Sequence, residues 1–178
     1  MLANKKVIIV GGGHAGVEAA LALSRMKIKS MLITMSKEAL GRLSCNPAIG
    51  GLAKSHLVGE IDALGGIMGR AADACFIQKK ILNKTKGRAV WALRAQVDKK
   101  QYPQYIQKKI LKDKNISIIE DEATGVSVQG GAIVGIKLKQ SGLVCCSASI
   151  ITCGTFLNGL IHIGINSYKA GRMGEKRS

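Results

Sequence analysis

The chain has 178 residues, 47% of them hydrophobic, enough for one domain that buries roughly two thirds of its unfolded surface; a disordered segment is excluded. Its 27 basic side chains outnumber 11 acidic ones for a net charge of +16, which favours anionic partners. Scarce aromatics and 22 glycines suit an α/β domain with many tight strand-to-helix turns.

Lys5 to Val10 reads as a buried first strand, because four consecutive β-branched residues run into glycine. Those four apolar residues after Lys5-Lys6 are too few for the apolar core of a secretion signal. Gly11-Gly12-Gly13-His14-Ala15-Gly16 then satisfies G-x-G-x-x-G. His14 to Met26 continues as a helix with Val17, Ala20, Leu21 and Leu23 on its apolar side. Between a strand and a helix, this pattern cradles a dinucleotide pyrophosphate. The first glycine allows the tight turn, the second lets the ligand approach the backbone, the third lets helix pack on strand, and the helix N-terminus faces the phosphates. The candidate cofactor-binding residues are therefore Gly11, Gly12, Gly13, His14, Ala15 and Gly16, with His14 a packing group or a pyrophosphate neighbour rather than an acid–base group.

Lys29 to Thr34 reads as a second strand. Dinucleotide folds usually place an acid near its end to bind ribose hydroxyls, but this strand ends Ile33-Thr34-Met35-Ser36 and the first acid is Glu38. Either Glu38 folds back to the ribose, or Thr34 and backbone groups take its place. The octapeptide Ser44-Cys45-Asn46-Pro47-Ala48-Ile49-Gly50-Gly51 reads as a backbone-rich loop. Its Cys45 is either a thiol in reach of a bound ligand or a small residue packed in a turn. A helix over Leu52–Leu64 follows, carrying Lys54 and His56 and closing on Gly65-Gly66.

From Lys79 to Lys114, twelve basic residues face only Asp98 and Asp113. That surplus is a footprint for a polyanion or a solvated helical face, and Arg94 within it is a candidate phosphate contact. Lys99–Lys112 reads as a helix with Tyr102, Tyr105, Ile106 and Ile110 at helical spacing, and Ile116–Ile119 as a third parallel strand. Then the period changes. Gly125–Gln129, Ala132–Lys139 and Gly142–Ser147 alternate between turns at Gly130-Gly131 and Gln140-Ser141, the pattern of a three-stranded antiparallel meander. Ala148–Thr152 is a last strand leading into Cys153-Gly154-Thr155. Gly142 to Tyr168 is uncharged and long enough to span a bilayer, but Thr152, Asn158, His162 and Asn166 mark it as strand and loop, so no membrane span is expected. Cys45, Cys75, Cys145, Cys146 and Cys153 make no C-x-x-C pair and are odd in number, which points to a reducing cytoplasm without disulfide framework or metal site. The order β-α-β, insertion, α-β, meander, β predicts an α/β fold with a parallel sheet. NAD domains usually continue through crossover helices, whereas FAD domains of the glutathione-reductase type carry a meander, so the expected fold is an FAD-type Rossmann fold.

VIIVGGGHAGVEAA, SCNPAIGG and HLVGEIDALGG, extended by KTKGRAVWALRAQVDK and CGTFLNGLIHIG, resemble the tRNA uridine 5-carboxymethylaminomethyl modification enzyme family, also called glucose-inhibited division protein A. The resemblance covers essentially the whole chain. It implies an FAD-dependent enzyme that adds a carboxymethylaminomethyl group at carbon 5 of the tRNA wobble uridine. It further implies NADH as flavin reductant, methylene-tetrahydrofolate as carbon donor, a GTPase partner and a homodimer. By the same resemblance Gly11 to Gly16 hold the pyrophosphate, Ala123 contacts the cofactor through its backbone, and Ser178 closes a flavin loop beginning at Gly171. Cys45 would be the catalytic thiol or would pack against the cofactor. Two departures stand out: Lys176-Arg177 replaces two prolines of the flavin loop, and Arg88 stands where a proline is usual. Residues 1–178 would be the N-terminal portion of an FAD-binding domain, without the family's NADH-binding insertion and C-terminal helical domain. An FAD- or NAD-dependent oxidoreductase of small molecules and an inactive truncated remnant are the other readings.

Overall fold

The computed structural model describes residues 6–43 and 46–171. β1 (Val7–Val10) leads through the glycine turn into α1 (His14–Arg25) and returns as β2 (Ser30–Thr34). Next come β3 (Ala48–Gly50), α2 (Lys54–Ala63), α3 (Met68–Cys75), β4 (Phe76–Leu82) and β5 (Ala92–Val97). They are followed by α4 (Gln101–Leu111) and β6 (Ile116–Glu120). β7 (Ala123–Gln129), β8 (Ala132–Leu138) and β9 (Gly142–Cys145) form the meander. β10 (Ala148–Ile151) and a hairpin of β11 (Leu160–Ile163) and β12 (Asn166–Lys169) complete the described chain.

β10, β1, β2 and β6 pair in that spatial order, all parallel. Counted along the chain, the parallel strands lie fourth, first, second, third, the order of a doubly wound dinucleotide-binding sheet. Val7–Val10 and Ser30–Thr34 can be nearly continuous apolar runs because layers cover both faces of this sheet. On one face Ile9 and Leu32 pack with Val17 and Ala20 of α1 and with Tyr102, Ile106 and Ile110 of α4. On the other, Ile8, Met31 and Ile33 pack against Ile136 and Leu138 of β8, so the meander replaces a helical layer. Tyr102, Ile106 and Ile110 recur at i, i+4 and i+8, the spacing that puts one helical stripe in the core.

The octapeptide is only partly a loop: Ala48–Gly50 is a strand, paired antiparallel with β5, which pairs in turn with β4. This second sheet and α3 occupy the stretch that the sequence reading leaves as an insertion. β4 gives no alternation signal because six of its seven residues are exposed, Phe76 and Ile77 among them. No described helix is long and apolar enough to cross a membrane.

Candidate functional site

The carboxyl ends of β1, β2 and β6 and the segment after β10 surround one cleft of about 410 Å³. Gly11, Gly12, Thr34, Ser36, Arg42, Asp121, Ala123, Cys153 and Phe156 are among its walls. A crevice beyond the carboxyl ends of parallel strands, where strand order reverses, is where such sheets bind ligands.

The glycine turn is shaped from three directions. Gly11 takes φ +109°, and a side chain there would run into the Thr152 carbonyl. Thr152 fastens the turn to the sheet: its amide and hydroxyl each donate to the Val10 carbonyl at 2.8 Å, and the hydroxyl also lies 3.1 Å from the Gly11 carbonyl. Gly16 packs onto the Gly11 carbonyl with no room for a Cβ. A Cβ on Gly12 would sit 2.6 Å from Leu40 Cδ2 and 2.8 Å from Thr34 Oγ1. Gly13 is different. It is exposed, with φ −72° and ψ −175°, and nothing lies within 4 Å of an added Cβ.

Gly13 is also the N-cap of α1, whose first turn has no acidic residue and no side-chain cap. The first amides of a helix lack intrahelical partners, and the helix dipole adds partial positive charge there, so an anion is favoured at this point. Ala15 is exposed in the same turn. His14 turns away: its ring packs against Tyr102 with centroids 5.7 Å apart, and its buried Nε2 has no partner among the described residues. Burial lowers the His14 pKa, so the ring is neutral at neutral pH and brings no charge to the cradle. The Tyr102 hydroxyl is likewise buried without a partner, and burial pushes its pKa up.

At the end of β2, Thr34 and Ser36 reach the cleft, whereas the Glu38 carboxylate is exposed and accepts from Ser36 Oγ at 2.9 Å. Hydrogen bonding to the Glu38 backbone amide and then to Ser36 holds its pKa below the usual range. The loop after β2 is clamped to the glycine turn. The Gly41 amide donates to the Gly12 carbonyl at 3.0 Å, and Gln107 of α4 donates to the carbonyls of Glu38 and Leu40. That clamp carries Arg42 to the cleft, a cation no spacing rule marks in the sequence.

Asp121, 4% exposed, sits where β6 meets the meander. Its carboxylate accepts the amides of Glu122, Gln140 and Ser141 and the Ser141 hydroxyl at 2.7–3.3 Å. Burial alone would raise its pKa, but these donors outweigh burial and hold it at about 2. The result pins the turn between β8 and β9 beside Ala123, which lines the cleft. Lys54 and His56 are exposed on α2 and lie apart from the cleft walls, while Arg94 pairs across the second sheet with Gly50 and Lys80. Cys45 and Ser178 lie outside the described residues.

Compared with known proteins, residues 6–178 match the family model described as glucose inhibited division protein A. The chain is 50% identical over 175 residues to the tRNA uridine 5-carboxymethylaminomethyl modification enzyme MnmG of Campylobacter fetus subsp. fetus, covering 98% of this chain and 28% of that protein. The form I crystal structure of Aquifex aeolicus GidA superposes with a TM-score of 0.92 at 45% identity, over 98% of this chain and 29% of that one. A GidA-related protein from Thermus thermophilus shares the fold at TM-score 0.64 and 18% identity, covering 97% of this chain and 63% of its own.

Proposed function

Since the chain belongs to the glucose-inhibited division protein A family, we propose that it forms the FAD-binding portion of a flavoenzyme that adds a carboxymethylaminomethyl group at carbon 5 of the tRNA wobble uridine. The chain spans less than a third of the Campylobacter fetus and Aquifex aeolicus proteins it matches, so this activity is proposed for the whole protein. One observation supports the cofactor above all: the glycine turn is packed shut at Gly11, Gly12 and Gly16 and left open at Gly13, where the amides of the α1 N-terminus emerge.

In this reading Gly11 to Gly16, with the backbone of His14 and Ala15, hold the pyrophosphate. Thr34 and Ser36 supply ribose contacts in place of the missing strand-end acid, and Arg42 offsets phosphate charge. Ala123 meets the cofactor through its backbone and Ser178 closes the flavin loop. Bound FAD supplies two-electron redox chemistry, with NADH as the reductant and methylene-tetrahydrofolate as the one-carbon source. Cys45 supplies a thiolate that adds to carbon 6 of the uracil, moving an electron pair to carbon 5 and making that carbon nucleophilic. The protein works in the cytoplasm as a homodimer with a GTPase partner.

The test is direct. The purified chain should release FAD on denaturation; a colourless protein without releasable flavin overturns the reading. Cys45→Ala, made in a full-length family member that carries this cysteine, should abolish tRNA modification while flavin is retained. Undiminished modification would remove the catalytic role of the thiol.

A further inference from the structure

A second cleft, of about 290 Å³, opens at the other end of α1, roughly 18 Å of helix away from the glycine turn. It lies between the last turn of α1, the Gly65-Gly66-Ile67 turn, the start of α3 and the last turns of α4. Three separate elements each send one exposed cation into it: Arg25 from α1, Arg70 from α3 and Lys109 from α4. The Arg25 guanidinium reaches over Gly65, and the Lys109 ammonium lies 6.0 Å from the centre of the Tyr105 ring, which forms part of the wall.

None of these three cations is in an ion pair among the described residues. The acids nearby are hydrogen-bonded to neutral groups rather than paired with these cations. Asp113, which lines the cleft, accepts from Ser24 Oγ at 2.6 Å and from the Asn115 amide at 2.9 Å. Glu18 accepts the amides of Ile67 and Met68 at 2.8–3.1 Å. Against Asp113, the acid in the lining, the three cations leave a surplus of two positive charges around one concavity, which favours an anion.

The positive charge continues past the cleft. Exposed Lys27 and Lys29 flank the α1–β2 connection, and exposed Lys112 and Lys114 flank the α4–β6 connection. These connections adjoin, the Ser30 amide donating to the Asn115 carbonyl at 2.9 Å. A small anion would need only the cleft. A track of cations leading away from it fits a polymer with a charge at every repeat, namely a phosphodiester backbone.

We propose that this cleft and the lysine-lined rim beside it bind the phosphate backbone of RNA, with Arg25, Arg70 and Lys109 seating one phosphate group and the rim lysines following its neighbours. The choice of RNA over other nucleic acids rests on the function proposed above. The site lies at the opposite end of α1 from the cofactor cradle, so it anchors the polymer and takes no part in the chemistry.

The test compares the full chain with the R25A/R70A/K109A variant, using a fluorescently labelled tRNA transcript over a salt series, with flavin content and thermal unfolding followed in parallel. Wild type should bind with steep salt dependence. The triple variant should bind more than tenfold more weakly at moderate salt, with a log–log salt slope shallower by about 1, since the three side chains together neutralise one phosphate. Its unfolding and flavin content should stay as in wild type, and K84A/K86A, on the β4–β5 connection, should leave the slope unchanged. Wild-type-like binding by the triple variant overturns the proposal, as does an equal loss in K84A/K86A or no tRNA binding by wild type. Displacement of tRNA by polyglutamate as readily as by unlabelled tRNA also overturns it, reassigning the cleft to an acidic protein segment. Salt-sensitive, triple-dependent tRNA binding by a protein without flavin would instead refute the cofactor reading and leave this one standing.

Discussion

Gly13→Ala tests the proposed pyrophosphate placement, because Gly13 is left open where Gly11, Gly12 and Gly16 are packed. Gly13 has φ −72°, and an added methyl group meets no heavy atom within 4 Å. Without ligand, Ala gains about 0.4–1 kcal/mol by restricting the unfolded chain. It loses a similar amount as the poorer helix N-cap, so the net change is within about 1 kcal/mol. With ligand the balance shifts. A hydrogen bond to a charged group contributes about 1.5–3 kcal/mol, so losing one amide–phosphate contact weakens FAD binding roughly 10- to 150-fold. At FAD equal to 100 times the wild-type Kd, binding stabilises the fold by about 2.7 kcal/mol. The same arithmetic leaves about 1.4 kcal/mol after a tenfold loss and about 0.3 kcal/mol after a 150-fold loss. Thermal unfolding with and without FAD reads this directly: the FAD-induced rise in Tm should fall to half or less, with the unliganded Tm nearly unchanged. Gly16→Ala should do the reverse, driving a Cβ into the Gly11 carbonyl and costing about 1–3 kcal/mol with no ligand present. An equal FAD-induced shift in Gly13→Ala and wild type would refute the placement of the pyrophosphate.

Three further outcomes follow from the packing around the cleft. Thr152→Val removes the hydroxyl that donates to the Val10 carbonyl and should cost about 0.5–1.5 kcal/mol in urea unfolding, with Thr152→Ser close to wild type; a loss in Thr152→Ser with none in Thr152→Val would show that the methyl group is what counts. Glu18→Ala strips the amides of Ile67 and Met68 of their acceptor and should cost about 1.5–3 kcal/mol, with hydrogen exchange at those two amides accelerating first. Asp121 is held at about 2, below its ordinary 3.8, so its contribution to stability is fully present above about pH 4 and fades as pH falls toward 2. Asp121→Asn should flatten that acid limb, and an acid-unfolding profile identical to wild type would contradict the hydrogen-bonded turn.

What the sequence reveals here follows burial. Val7–Val10 and Ser30–Thr34 are legible because both faces of their sheet are covered, so an unbroken apolar run has one plausible reading. Tyr102, Ile106 and Ile110 are legible because one helical stripe faces the core. β4, β11 and β12 are not, because their side chains are largely exposed and their pairing rests on backbone hydrogen bonds that any residue can make. The cradle shows the same division. Its pattern marks Gly11, Gly13 and Gly16, but Gly12, unlike Gly13, is closely packed, against Thr34 at the end of β2 and against Leu40, which the clamp of the following loop brings near. Thr152, Arg42 and Asp121 act through partners distant in sequence or through loop geometry, so local pattern carries no trace of them.

α1 starts just past the Gly11-Gly12 wall of the first cleft and ends in the second, and its two ends explain why the proposed sites are built differently. At its N-terminus the unpaired amides and the positive end of the dipole already favour an anion, and Gly11 to Gly16 include no Lys or Arg. At its C-terminus the dipole has the opposite sign and disfavours phosphate, so positive charge must come from side chains, as it does from Arg25, Arg70 and Lys109. The salt responses should therefore diverge. Amides in a partly enclosed turn hold a pyrophosphate through short hydrogen bonds that screening weakens little. Exposed side chains on a polyanion act over distances that salt screens, with release of condensed counterions adding to the effect. A salt series on one protein preparation should thus weaken tRNA binding by orders of magnitude while FAD binding barely changes, and parallel losses of both would show that a single shared patch holds the two ligands.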